Sequence, residues 1–416
     1  MRVAVVGAGI VGVTLAHELA ASGHEVQVLE RRASVAAEGS FARAGLLAPR
    51  LVRPWTATPL GGPPRAPGAQ PALPWLQAAS LPHLRWLWQG WRSRRGSEGQ
   101  TRRAALQALA HASQGLQQRL ADALAPSFEH TQGVMLLVRE AAHARRLRAA
   151  LPDADGDAAA ARWLEAADAR ALEPALNPTA PLAGALHLPR DGAGNCRQFA
   201  HALKGEAQRL GVRWRFGAEV LRLRPGKPVT VELAAQDALT VDAVVLCTGL
   251  DSAALLQPLG LRLPLRAVRN ASFTAPLRGP DDSDPAAPRA TVIDLARQVA
   301  LTRLGDRVRA SGGASLGTAV GRVPQALLQC LHGTLEHWFA GAAALRLGQA
   351  WLSASPTLPD GLPVLGASGH DGVWLNIGHG AHGWVLASGA AALLRAGLEG
   401  APPPLPLQPF AADRFR

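Results

Sequence analysis

Residues 2–6 form a short β-branched run in which only Arg2 is polar, the chain then breaks at glycines, and from Val13 apolar side chains return at Leu15, Ala16, Leu19 and Ala20. The first pattern predicts a strand and the second a helix that stops at Gly23. A second strand is predicted over 25–29, closed by Glu30, so segment 2–30 reads as one β-α-β unit. Helical spacing recurs over 104–124, 141–151, 160–172 and 196–210. Strands are predicted at 134–138, 185–188 (leading into a turn over 191–195), 212–216, 229–233 and 243–247. Residues 49–82 are rich in proline and glycine and predict an irregular course before a Trp-rich stretch, where Trp86, Trp88 and Trp91 are read as packing residues. Alternation over 267–274, 290–294 and 299–303 predicts an antiparallel sheet, and nothing repeats at a fixed period, which excludes a solenoid. The proline-rich tail from Ala401 is expected to be a surface strap or a frayed end.

Composition narrows the class. With 416 residues, 48% apolar and 18% charged, the chain can bury a core larger than that of one average domain. The net charge of +12 raises the question of an anionic partner. Only Lys204 and Lys227 are lysines, and the arginines are scattered apart from a cluster over 92–103, so no nucleic-acid-binding arm is expected. If the basic surface has a partner, the anionic face of a membrane fits it better. Cys196, Cys247 and Cys330 are too widely spaced for a disulfide framework or a metal site. No run approaches the roughly 18 apolar residues of a spanning helix, and only Arg2 precedes the first apolar run, unlike a signal peptide. The expectation is a cytoplasmic protein, with peripheral contact at the inner membrane face left open.

The sharpest chemical signal is Gly7-Ala8-Gly9-Ile10-Val11-Gly12 between predicted strand and helix, with Glu30 at the end of the second strand. In this context the glycines form a dinucleotide fingerprint. Gly7 permits the tight turn, Gly9 lets a pyrophosphate approach the backbone, and Gly12 lets helix and strand pack closely. The helix N-terminus favours the phosphates, and Glu30 would accept hydrogen bonds from ribose hydroxyls. This motif alone does not separate FAD from NAD.

Other segments do. Ser40-Phe41-Ala42-Arg43-Ala44-Gly45, Leu172-Glu173-Pro174-Ala175-Leu176, Asp191-Gly192-Ala193-Gly194-Asn195 and Cys247-Thr248-Gly249 are followed by the run from Thr357 to Gly366 and by Asn376-Ile377-Gly378-His379-Gly380-Ala381-His382-Gly383-Trp384. Together they resemble the D-amino-acid oxidase and dehydrogenase superfamily, above all the small subunit of D-amino-acid dehydrogenase. The resemblance implies an α/β fold in which a Rossmann-type FAD-binding domain (1–50, 186–260, 351–416) is interleaved with an α+β substrate domain containing an antiparallel sheet (51–185, 261–350). It implies FAD contacts, beyond Gly7, Gly9, Gly12 and Glu30, at Ile10, Val11, Arg31, Ser40, Arg43, Ala44, Gly45 and Val220. Further contacts are implied at Thr248, Gly249, Gly378, His379, Gly380, Gly383 and Trp384. His379 and His382 are expected to line the active site.

The departures bear on the substrate. Ser355 stands where the family has an arginine expected to hold the substrate carboxylate, and the chain has no tyrosine. Arg269 is the first candidate to replace that arginine, ahead of Arg303, Arg307 and Arg309. Asn195 stands where aspartate is more usual, and Arg43 where asparagine is. No cysteine precedes Thr357 at the place where sarcosine-oxidase relatives attach flavin, so FAD is expected to be non-covalent. The implied reaction oxidises the C–N bond of a D-amino acid or related amine and passes electrons to a respiratory acceptor. The alternatives are a secondary or carboxylate-lacking amine as substrate, a non-catalytic flavoprotein, and an enzyme using NAD alone.

Overall fold

The computed structural model describes residues 1–54, 81–124, 128–150, 161–279, 287–317 and 321–415. Strand β1 (Arg2–Val6), helix α1 (Ile10–Ala21) and strand β2 (Glu25–Glu30) form the expected unit. β1 pairs in parallel with β2 on one side and with Ala243–Leu246 on the other. Its central place and two covered faces explain the unbroken apolar run. Val373–Ile377 and the antiparallel Val364–Ala367 extend the sheet at one edge and Arg213–Phe216 at the other, giving six strands. α1 packs against helices Cys196–Arg209 and Gly383–Glu399, and the latter also packs against the long helix Gly96–Ala123.

A second sheet contains nine strands. Gln349–Thr357, Arg266–Pro276, Arg307–Leu316, Val299–Leu304 and Thr291–Asp294 run antiparallel in that order. Thr131–Val138, Gly184–Ala193 and Leu46–Leu47 continue it, with Arg162–Leu164 pairing to Gly184–Ala193. Side chains alternate across the strands. Ala271, Phe273, Val308 and Ala310 face a core shared with helix Gln325–Trp338. On the other face Ser272 donates to the Ala42 carbonyl at 2.6 Å and Thr302 to the Ala44 carbonyl at 3.1 Å, which fastens the 42–44 loop across the sheet.

Several expectations need correcting. Segment 160–172 is not one helix: among the described residues it is strand Arg162–Leu164 followed by helix Ala166–Leu172. The strand expected at 185–188 runs on to Ala193, so Asp191 lies in it and not in a turn. Leu46–Leu47, Gly184–Ala193 and Gln349–Thr357 lie wholly or partly in segments assigned to the FAD-binding domain, yet they pair into the nine-stranded sheet. Helix Gly96–Ala123, assigned to the other domain, packs into the core around α1. Strand pairing and helix docking, which chain order does not encode, decide these memberships. Of the three tryptophans read as packing residues, only Trp86 is one, buried against Val268 and Leu316 and donating to the Pro264 carbonyl at 2.7 Å. Trp88 and Trp91 are 53% and 44% exposed, with Arg92 and Arg95 set over their rings. Most of the irregular 49–82 stretch lies outside the described residues. The tail is a strap: Arg414 pairs with buried Asp360 at 2.8 Å and donates to the Leu362 and Pro363 carbonyls. Among the described residues no helix is long and apolar enough to cross a membrane.

Candidate cofactor and active site

A cavity of about 1160 Å³ lies between the two sheets. At one end the turn after β1 adopts φ +102° at Gly7, whose N–H donates to the Leu29 carbonyl at 2.8 Å. Both oxygens of Glu30 hold this turn and the next: one accepts from the Ala8 N–H at 2.7 Å, the other from the Arg32 N–H at 2.8 Å. Each oxygen keeps a lone pair for a ligand hydroxyl. Ser40 Oγ accepts from the Ile10 N–H at 3.1 Å and so fixes the first turn of α1.

The two inner glycines do different work. A Cβ at Gly9 would meet only Ser40 Oγ, at 3.6 Å, so the space beside its backbone is open to the cavity. A Cβ at Gly12 would lie 2.0 Å from the Gly7 carbonyl oxygen, and Gly12 does not line the cavity. Gly12 is therefore a packing glycine, and its place among the expected cofactor contacts is corrected accordingly.

All the other expected cofactor residues line this one cavity: Gly7, Gly9, Ile10, Val11, Glu30, Arg31, Ser40, Arg43, Ala44, Gly45, Val220, Thr248, Gly249, Gly378, His379, Gly380, Gly383 and Trp384. The chain brings them together from separate segments. Arg31 ties two of these, pairing with Glu38 at 3.0 Å and with Asp251 at 2.9 Å beyond the Thr248-Gly249 turn. Trp384 shows the cavity only part of itself, because it packs against Phe128 and Phe199.

His379 and His382 both reach the cavity, and burial draws them down to about 3 and about 4 respectively, so both are neutral near pH 7. Nε2 of His379 is buried without a hydrogen-bond partner among the described residues. His382 Nε2 lies 2.8 Å from the Arg53 carbonyl and, as an N–H, ties the 49–54 segment to the start of the last helix. Neither is set up as a charged acid at neutral pH.

Arg269 does not line the cavity, and this candidate is corrected. It pairs with Ala354 on the strand face opposite to Asn270, and its Nε donates to Ser315 Oγ at 3.2 Å. The alternation that puts Asn270 on the cavity side turns its neighbour away. Arg307 pairs with Glu129 at 2.7 Å, and Arg309 donates to Thr274 and to the Arg43 carbonyl. Asn195 caps helix Cys196–Arg209 and donates to Glu129 at 2.8 Å, a bond that an aspartate could not donate.

Sequence reasoning missed much of the sheet-side wall. Leu136, Ile293, Ala300, Ser311, Gly312, Gly313 and Ala314 belong to it, as does Asn270, while Asn376 joins the cavity from the six-stranded sheet. The Gly312-Gly313 pair is a readable signal of a bulged strand close to a ligand. Asn270 Nδ2 donates to both of these carbonyls, at 3.0 and 2.8 Å.

The open backbone at Gly9, the fixed helix N-terminus and a long cavity suit a dinucleotide. The chain matches the family model described as FAD dependent oxidoreductase over residues 2–396. It is 35% identical to the D-amino acid dehydrogenase of Cereibacter sphaeroides, over 100% of this chain and 95% of that one. Against the D-amino acid dehydrogenase of Methylobacterium nodulans the identity is 33%, over 100% and 99%. In fold it is similar to glycine oxidase from Geobacillus kaustophilus, with a TM-score of 0.75 at 22% identity over 99% and 98% of the two chains. A cavity built for a dinucleotide and a family match that spans both sheets agree, and the chain belongs to the FAD-dependent oxidoreductase family.

Proposed function

We propose that the chain oxidises the C–N bond of a D-amino acid or related amine. The α-C–H bond breaks, its hydrogen leaves with the electron pair, and nitrogen loses a proton as C=N forms. Water then converts the imine to a keto acid and ammonia. When bound, FAD supplies the two-electron acceptor for this oxidation. One observation carries the reading: full-length likeness to proteins named D-amino acid dehydrogenase coincides with a single cavity that gathers the expected cofactor residues.

The chain's own residues then have defined tasks. Gly9 and the first turn of α1 would receive the pyrophosphate, and Glu30 would accept from ribose hydroxyls. The Gly378–Gly383 loop would hold the flavin ring, and the neutral His379 would leave the amine free to be deprotonated. Cys196 and Cys247 line the cavity, but burial pushes the Cys196 thiol up to about 12 and the Cys247 thiol up as well, so neither is a thiolate ready to bond a flavin. This supports non-covalent FAD.

Electrons would leave through a respiratory acceptor at a membrane, and the helix Leu81–Arg92 offers the contact. Leu84, Trp88 and Trp91 are exposed on one helical face beside Arg85, Arg92 and Arg95, an apolar and cationic combination suited to an anionic lipid surface. The reaction is tested by anaerobic turnover of D-amino acids, L-amino acids and simple amines with an artificial electron acceptor. Turnover of D-amino acids is the expected result, and reduction of the flavin by no amine would contradict the reading.

A further inference from the structure

One wall of the cavity holds a cation that the fold leaves without a counter-charge. Arg43 Nη1 donates to Ser355 Oγ at 2.5 Å, and among the described residues no carboxylate pairs with it. Cys196 is the ionisable neighbour that would favour its charge, and that thiol stays protonated. Arg309 stands behind it, donating to the Arg43 carbonyl at 3.1 Å, and so supplies no counter-charge. Enclosure by protein draws the Arg43 pKa below its ordinary value. One neutral acceptor does not compensate a guanidinium in such a place, and most of its N–H donors remain unused. The part of Arg43 that stays accessible belongs to the cavity wall.

Its reach is informative. Ser355 lies two residues before Thr357, which bridges to His379, so Arg43 extends from the 40–45 loop to the strand that flanks the histidine loop. We infer that Arg43 binds the substrate carboxylate, with Ser355 holding its guanidinium in place at the cavity wall. The inference rests on the amine-oxidising reading and narrows it to amines that carry a carboxylate next to the oxidised C–N bond. The competing acceptor for the same charge is an anionic part of FAD itself.

Two measurements on the purified holoenzyme separate these. Propionate, a carboxylate that cannot be oxidised at a C–N bond, is titrated while the visible flavin spectrum is followed. Anaerobic flavin reduction is then timed with D-alanine and with D-alaninamide, which has the amine but no carboxylate. Arg43→Ala is expected to weaken propionate binding and to lower the ratio of D-alanine to D-alaninamide rates, each by about ten- to a hundredfold, the range for a charged hydrogen bond. Arg43→Lys, which keeps the charge without the planar fork, should lie between, and it carries the test if the alanine variant fails to fold. Equal losses with the two substrates, purification without FAD, or propionate binding as tight as in the wild type would overturn the inference. If propionate binding depends on Arg43 but no amine reduces the flavin, the carboxylate site stands and the proposed reaction falls.

Discussion

The two ends of the cavity are built on different principles. At the Gly7–Gly12 end the contacts come from backbone, and side chains enter mainly to brace it, as Glu30 and Ser40 do. At the sheet end the wall is side chains from strands that pair across long stretches of sequence, and one substitution there can be answered by another. Ser355 and Arg43 lie 312 residues apart yet share a hydrogen bond. A backbone site is constrained position by position, whereas a side-chain site can move its charge from one element to another.

The largest expected effects sharpen the first half of that contrast. Gly12→Ala forces a Cβ to within 2.0 Å of a backbone oxygen, so a loss of about 3 kcal/mol or more is expected, with little folded protein recovered. Gly9→Ala meets no such clash. It should melt like the wild-type apoprotein and yet purify without flavin. If instead Gly9→Ala stays yellow, the open space beside Gly9 is not the pyrophosphate cradle.

Glu30→Ala removes a carboxylate that holds two backbone N–H groups and is assigned the ribose, so FAD should bind about ten- to a hundredfold more weakly in equilibrium dialysis. Glu30→Gln should recover only part of this, since an amide oxygen can replace one of the two acceptors.

A smaller effect concerns pH. His379 and His382 titrate in the folded chain at about 3 and about 4 against 6.5 unfolded, so the unfolded chain gains protons first on acidification and stability falls from about pH 6.5 towards 4. Asp191 is pushed up to about 7 by burial; its contribution is present at low pH and is lost as pH rises through 7. For these three groups the net is one proton, about 1.4 kcal/mol per pH unit, in favour of the higher pH. His379→Asn should flatten the apoprotein melting profile over this window; an unchanged slope would mean that the imidazole is hydrated. The smallest effect is reserved for Arg269→Ala, on the strand face away from the cavity. Its holoenzyme should reduce with D-alanine within about threefold of wild type, well short of a lost charged hydrogen bond. A larger loss would reopen the corrected assignment.

How much could be read from sequence follows the same division. The β-α-β unit was legible because its period, glycine spacing and terminal acid are all local. The cofactor loops were legible because the resemblance is carried by glycines in short segments. Arg269 was misassigned because a strand shows one face of every two, and strand Arg307–Leu316, whose bulge at Gly312-Gly313 shifts that register, was not predicted at all. The Arg43 contact left no local signal, since its partner lies on a strand that only tertiary pairing brings near.

The central claim is tested most directly by one spectrum. The purified protein is examined in the visible range before and after anaerobic addition of D-alanine, and the flavin band should bleach while L-alanine leaves it in place. A colourless protein would contradict the cofactor site, and a yellow protein that no D-amino acid bleaches would contradict the proposed reaction.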